Sequence, residues 1–268
     1  MNVPSPPGRG FIKGEGERDL SAKLALVTGG GRGIGRAIVL ELASRGADVL
    51  INYVRHPEHA EDTAAAARAL GVQAHTLRGN LADEQRIEAL FASLHERFGY
   101  LDILINNSAT GVNRPAIDLT AKHWDWTLNV NARGAWLCAK AAAPLMRARG
   151  GGAIVSVSSL GASRVMPDYF LVGVSKAALE AVTRYLAVEL APLGIVVNAV
   201  SGGLVETDAL KSFAWGPDVI TQNRARTPAG RMVEPADLAR VVAFLCTPAA
   251  AMIRGQTLIV DGGFSLLA

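Results

Sequence analysis

Short apolar runs alternate with segments of helical period along almost the whole chain, and this rhythm limits the fold more than any other feature. The strand-like runs are LALVTG (24–29), ADVLINY (47–53), QAHTLRGN (73–80), LDILINNS (101–108), AIVSVSS (153–159), IVVNAVSGG (195–203) and QTLIVDGG (256–263). Between them, residues 33–46, 56–71, 83–99, 120–149, 169–191 and 235–246 read as helical, with an interruption expected near Pro144. Pro57 opens one of these helices and Gly71 follows it, the usual start and stop residues. Most strand runs are nearly continuous in apolar residues. That pattern belongs to strands covered on both faces, because a half-exposed strand alternates apolar with polar.

Seven such strands with intervening helices predict an α/β fold of Rossmann type. It is a single domain, a doubly wound seven-stranded parallel sheet with helices on both faces. The chain has 268 residues, half of them apolar and 19% charged. That is enough apolar material for a large core and excludes a disordered chain. No internal repeat is visible. Residues 1–18 hold three prolines and four glycines without apolar periodicity, and read as a mobile tail before a domain at 19–268. Residues 206–234 break the rhythm after the sixth strand. A long segment there reads as a substrate lid, with Trp215 a candidate for lining its pocket.

Net charge is only +3, and no run of five like charges occurs, which argues against a nucleic-acid partner. Cys138 and Cys246 lie among apolar residues and form no C-x-x-C pair, so they read as core residues of a reduced, cytoplasmic protein. The five histidines are scattered, and no metal site is expected. No apolar stretch is long enough to span a membrane, and the first residues lack the apolar core of a signal peptide.

The first strand runs into Thr28-Gly29-Gly30-Gly31-Arg32-Gly33-Ile34-Gly35 and then a helix. Glycine removes the Cβ that would keep a pyrophosphate from the backbone. The helix start offers free N–H groups and the positive end of the dipole. Gly29, Gly31, Arg32, Gly33, Ile34 and Gly35 are therefore candidate cofactor-binding residues.

The spacing T-G-x-x-x-G-x-G resembles the short-chain dehydrogenase/reductase family, and the resemblance runs over residues 21–268. Asn106-Asn107-Ser108-Ala109, Asn131 within Asn-Ala-Arg-Gly, Ser159, Asn198 and Val260-Asp261-Gly262-Gly263 fall where that family has its motifs. The resemblance implies a nicotinamide cofactor contacted by Asn80 and Leu81 near the adenine, by Asn107 and Gly203, and by Thr207 at the nicotinamide amide. It also implies a homotetramer. The second strand ends Ile51-Asn52-Tyr53-Val54-Arg55 without the acid that would hold a ribose 2′-hydroxyl. Arg32 and Arg55 suit a 2′-phosphate instead, which points to NADPH.

Ketone-reducing members of the family carry Tyr-x3-Lys. This chain has Tyr169 and Lys176, a Tyr-x6-Lys, and Val172 stands at the usual tyrosine position. The shift has a chemical reading. Hydride addition to a ketone puts charge on the adjacent oxygen, whereas addition to the β-carbon of an enoyl thioester puts it on an oxygen three bonds further along. Three helical residues would move the tyrosine Cα by about 4.5 Å and turn it by about 60°.

Tyr-x6-Lys, with Gly173-Val174-Ser175-Lys176, Ser201-Gly202-Gly203 and Thr227-Pro228-Ala229-Gly230-Arg231-Met232, is similar to the NADPH-dependent enoyl-ACP reductase III type. The resemblance implies an enoyl thioester on acyl carrier protein or CoA as substrate. It implies Tyr169 as hydrogen-bond or proton donor, Lys176 as the cation beside it and tether of the nicotinamide ribose, Ser159 as an orienting hydroxyl, and Asn131 as holder of a water or of the helix. Two alternatives stand beside this reading, a β-ketoacyl or other carbonyl reductase and a non-catalytic dinucleotide-binding sensor.

Overall fold

The computed structural model describes residues 18–205 and 217–267. The tail at 1–17, Thr207 and Trp215 lie outside the described residues. Seven parallel strands form one sheet: β1 (Leu24–Val27), β2 (Asp48–Tyr53), β3 (Ala74–Arg78), β4 (Ile103–Asn106), β5 (Gly152–Ser159), β6 (Ile195–Gly202) and β7 (Thr257–Val260). Their order across the sheet is β3-β2-β1-β4-β5-β6-β7. The winding direction therefore reverses between β1 and β4, and crossovers leave their carboxyl ends in opposite senses. A crevice at that point is where such sheets bind ligands.

The helices are α1 (Gly33–Ser44), α2 (Pro57–Arg68), α3 (Glu84–Phe98), α4 (Ala121–Leu128), α5 (Gly134–Arg147), α6 (Phe170–Glu189), α7 (Pro217–Arg226) and α8 (Pro235–Leu245). Successive β1 residues bury opposite faces. Ala25 and Val27 join Ile38 and Leu42 of α1, Ala64 of α2 and Leu238 of α8 in one core layer. Leu24 and Leu26 join Leu90 of α3, Cys138 of α5 and Leu186 of α6 in the other. Each β1 residue is thus covered by a helix on whichever side it points, which accounts for the unbroken apolar runs of the central strands. Among the described residues, no helix is long and apolar enough to cross a membrane.

Two expectations change. The break within 120–149 is not at Pro144, which lies inside α5. It is a π-helical turn at Asn129–Arg133 joining α4 to α5. Pro144 sits past the middle of α5, where its ring removes one intrahelical donor without ending the helix. Next, α6 begins at Phe170, so Tyr169 is its N-cap, with φ −105° and ψ 12°. Asp168 before it has φ +59°, a left-handed conformation that halts any helix running back from Phe170. The tyrosine is therefore displaced out of the helix, and the three-residue helical step does not describe its position.

Of the expected lid, residues 206–216 lie outside the described residues, 217–226 form α7, and 227–234 lead into α8. A single parallel bridge between Val205 and Val233 closes the base of this insertion. Ala229 N–H donates to the Gly262 carbonyl at 3.1 Å, and Arg231 holds Asp237 of α8 through both nitrogens of its fork, at 2.6 and 2.8 Å.

Candidate active site

The glycine loop is built by the β1–β4 junction. Thr28 Oγ1 accepts from the N–H groups of Asn107 and Ser108 at 2.9 and 3.0 Å, and donates to the Ile105 carbonyl at 3.1 Å. Asn107 Nδ2 in turn donates to the carbonyls of Thr28 and Gly29, at 2.9 and 3.1 Å. Asn107, expected at the cofactor, spends its amide bracing the loop.

Glycine is required here by space. A Cβ on Gly35 would sit 2.5 Å from Asn107 Nδ2 and overlap the Gly29 carbonyl. One on Gly29, where φ is +63°, would lie 2.9 Å from Ser108 Oγ. The start of α1 has no side-chain cap at Arg32 and no acid in its first turn. Its leading N–H groups and dipole are therefore left for an external anion, so the residues present fit the pyrophosphate of a dinucleotide. Arg32 and Arg55 are both exposed, and among the described residues neither pairs with a carboxylate. Leu81 is buried, Asn80 is exposed beside it, and Gly203 N–H donates to the Val260 carbonyl at 3.1 Å.

The expected proton donor and hydroxyl meet. Tyr169 O–H donates to Ser159 Oγ at 3.3 Å. Ser159 Oγ also accepts from Gly161 N–H at 3.2 Å, capping a 3-10 turn over Leu160–Ala162. Burial raises the Tyr169 phenol above its ordinary value of 10, and the Ser159 hydrogen bond offsets part of this. Val172, at the usual tyrosine position, is buried and faces Gly111, where a Cβ would overlap its Cγ2. The conventional donor site is thus filled by packed hydrocarbon.

Lys176 is buried on α6, and its Nζ donates to the Val157 carbonyl at 2.6 Å. Burial lowers it from 10.5 to about 8, and the Glu180 carboxylate one turn further along pulls it back up. Glu180 also accepts from Ser158 Oγ at 2.6 Å. Asn131, within the π turn, accepts from Thr110 N–H and donates to the Thr110 carbonyl and to Ser175 Oγ, each at 2.8 Å. Its amide therefore ties the post-β4 loop to α6 next to Lys176. Ser158, Ser175 and Glu180 were not anticipated from sequence, although the four-residue spacing of Lys176 and Glu180 was a readable signal.

This gives a pH prediction. The folded lysine releases its proton near pH 8, while the unfolded one keeps it to about 10.5. Its burial therefore costs stability below pH 8, and that cost is relieved as pH rises through this window. If catalysis uses the charged form, kcat/KM falls above about pH 8, since the phenol, shifted upward, stays protonated there. Glu180→Gln should move the alkaline limb to lower pH. A limb that stays in place in this variant would count against Lys176 as its source.

Residues 29–265 match the family model described as Enoyl-(Acyl carrier protein) reductase. The chain belongs to the short-chain dehydrogenase/reductase family. This reductase is 39% identical over 248 residues to 1-cyclohexenylcarbonyl-CoA reductase of Streptomyces collinus, covering 92% of this chain and 88% of that protein. It is 34% identical over 241 residues to 3-oxoacyl-[acyl-carrier-protein] reductase FabG of Staphylococcus aureus, covering 90% and 97%. Among solved structures, a 7α-hydroxysteroid dehydrogenase complexed with NADH and 7-oxo glycochenodeoxycholic acid superposes with a TM-score of 0.88. That pair shares 31% identity and covers 94% and 98% of the two chains. The protein is thus an oxidoreductase of a family that binds nicotinamide dinucleotides.

Proposed function

We propose that this protein reduces the α,β double bond of an enoyl thioester, carried on CoA or acyl carrier protein, with NADPH. The observation that carries this reading is the pairing of Tyr169 with Ser159 while Val172 fills the ketone-reductase position against Gly111. A dinucleotide held at the glycine loop and the start of α1 would supply the hydride for the β-carbon. Tyr169 donates a hydrogen bond to the thioester oxygen as negative charge gathers there, and a protonated phenol at neutral pH is suited to that task. The phenol has a single proton, so its O–H turns from Ser159 Oγ to the thioester oxygen, and the Ser159 hydroxyl then donates to the phenol oxygen and holds it in place. Lys176 contributes a positive charge beneath the strand end, held by the Val157 carbonyl. The enolate then takes up a proton from solvent at the α-carbon, which completes the saturated thioester. Arg32 and Arg55, exposed and without a carboxylate partner among the described residues, support a phosphorylated dinucleotide.

The test follows NADPH and NADH oxidation by the purified protein with crotonyl and acetoacetyl thioesters, each on CoA and on acyl carrier protein. Turnover of crotonyl thioester with NADPH, and little of acetoacetyl, is the expected result. Turnover of acetoacetyl alone would replace this reading with a carbonyl reductase. Cofactor binding without turnover of either would count against it.

A further inference from the structure

Gly161 has no backbone reason to be glycine. Its φ is not in the left-handed region, where Gly29 and Gly33 lie. Its reason is the neighbouring ring. A Cβ on Gly161 would stand 2.5 Å from Tyr169 Cδ1 and closer still to Cε1. The next nearest atom is the flexible end of Met166, at 3.2 Å. Gly173 completes the notch from α6. Its N–H donates to the Tyr169 carbonyl at 2.7 Å, and a Cβ there would lie 2.7 Å from the Gly161 carbonyl. Two bare backbone segments therefore meet beside the phenol ring. The Gly161 N–H also holds Ser159 Oγ, the atom that receives the Tyr169 hydroxyl.

We propose that Gly161 is a positioning residue for Tyr169. The missing methyl lets the ring lie flat on the turn, and the N–H aims the serine that orients its hydroxyl, so that this tyrosine works from outside the helix. The proposal rests on the reading of Tyr169 as the donor to an enoyl thioester. It predicts that one methyl group turns the ring away and separates the hydroxyl from Ser159. Displacement of about 1 Å at a reacting group costs about 100-fold in rate.

The test is Gly161→Ala in the full chain, alone and with Tyr169→Phe or Tyr169→Ala. With crotonyl thioester, kcat should fall about 100-fold while KM and NADPH affinity stay within about twofold. In the Tyr169→Phe background, where no hydroxyl remains to misplace, the same change should leave residual kcat within about twofold. Equal losses in both backgrounds would show a general structural role and overturn the proposal, as would unchanged kcat in the single variant. A second readout needs no substrate. Gly161→Ala should lower Tm in the parent chain and have no effect in the Tyr169→Ala chain, where the ring is gone. The same drop in both would overturn the proposal even if the protein turned over no enoyl thioester, so this failure is distinct from failure of the functional reading.

Discussion

Replacing Tyr169 with phenylalanine should lower kcat/KM for an enoyl thioester by about a thousandfold, within the range for a positioned acid. The ring still fills the notch beside Gly161, and among the described residues the hydroxyl gives up its 3.3 Å hydrogen bond to Ser159. That bond is long and part-buried, and its loss costs about 0.5–1.5 kcal/mol of stability at most. NADPH binding, measured by fluorescence enhancement, should be unchanged, because the glycine loop lies on β1 and α1. A variant with more than a tenth of parent activity would remove Tyr169 from the chemistry. A variant that also lost NADPH would place the residue in the cofactor site instead.

Gly35→Ala should abolish cofactor binding. The added methyl would overlap the Gly29 carbonyl and press Asn107 Nδ2, both parts of the same brace. One neighbour is backbone and the other is a side-chain amide pinned by two hydrogen bonds to the loop, so the loop itself has to move. Forced overpacking costs about 1–3 kcal/mol of stability. The anion site at the start of α1 loses its shape, and a fall of at least about 100-fold in NADPH affinity corresponds to roughly 2.7 kcal/mol. Calorimetric titration of the folded variant checks this. Retained micromolar binding would mean that the pyrophosphate does not approach the loop at Gly35.

Much of this was readable in the chain. Every strand falls on a predicted run, with β5 starting one residue early at Gly152, because a doubly covered sheet leaves an apolar signature that needs no tertiary knowledge. The glycine loop was readable for the same reason, as its residues are consecutive. What escaped depends on distant partners. Pro144 is a conspicuous local signal, yet the helix is interrupted at Asn129–Arg133. There Asn131 reaches Thr110 and Ser175, residues far away in sequence. The start of α6 was within reach. Pro167-Asp168 marks a turn, and Tyr169 could have been placed before the helix on that ground. The role of Asn107 was hidden, since its carbonyl partners only meet it once β1 and β4 lie side by side.

The bridge from Val205 to Val233 separates two kinds of sequence. Upstream and downstream of it lie the strands, the tyrosine and the lysine, all tied into the sheet. The stretch it encloses enters and leaves at neighbouring points, so its length and composition can change with little entropic penalty at the closure. The fold thus keeps this stretch in a part of the gene separable from the strands, the tyrosine and the lysine. Under the proposed function, transplanting the enclosed stretch between relatives should change the preferred acyl chain while leaving Tyr169 and Lys176 in place, which turnover of a series of enoyl thioesters checks.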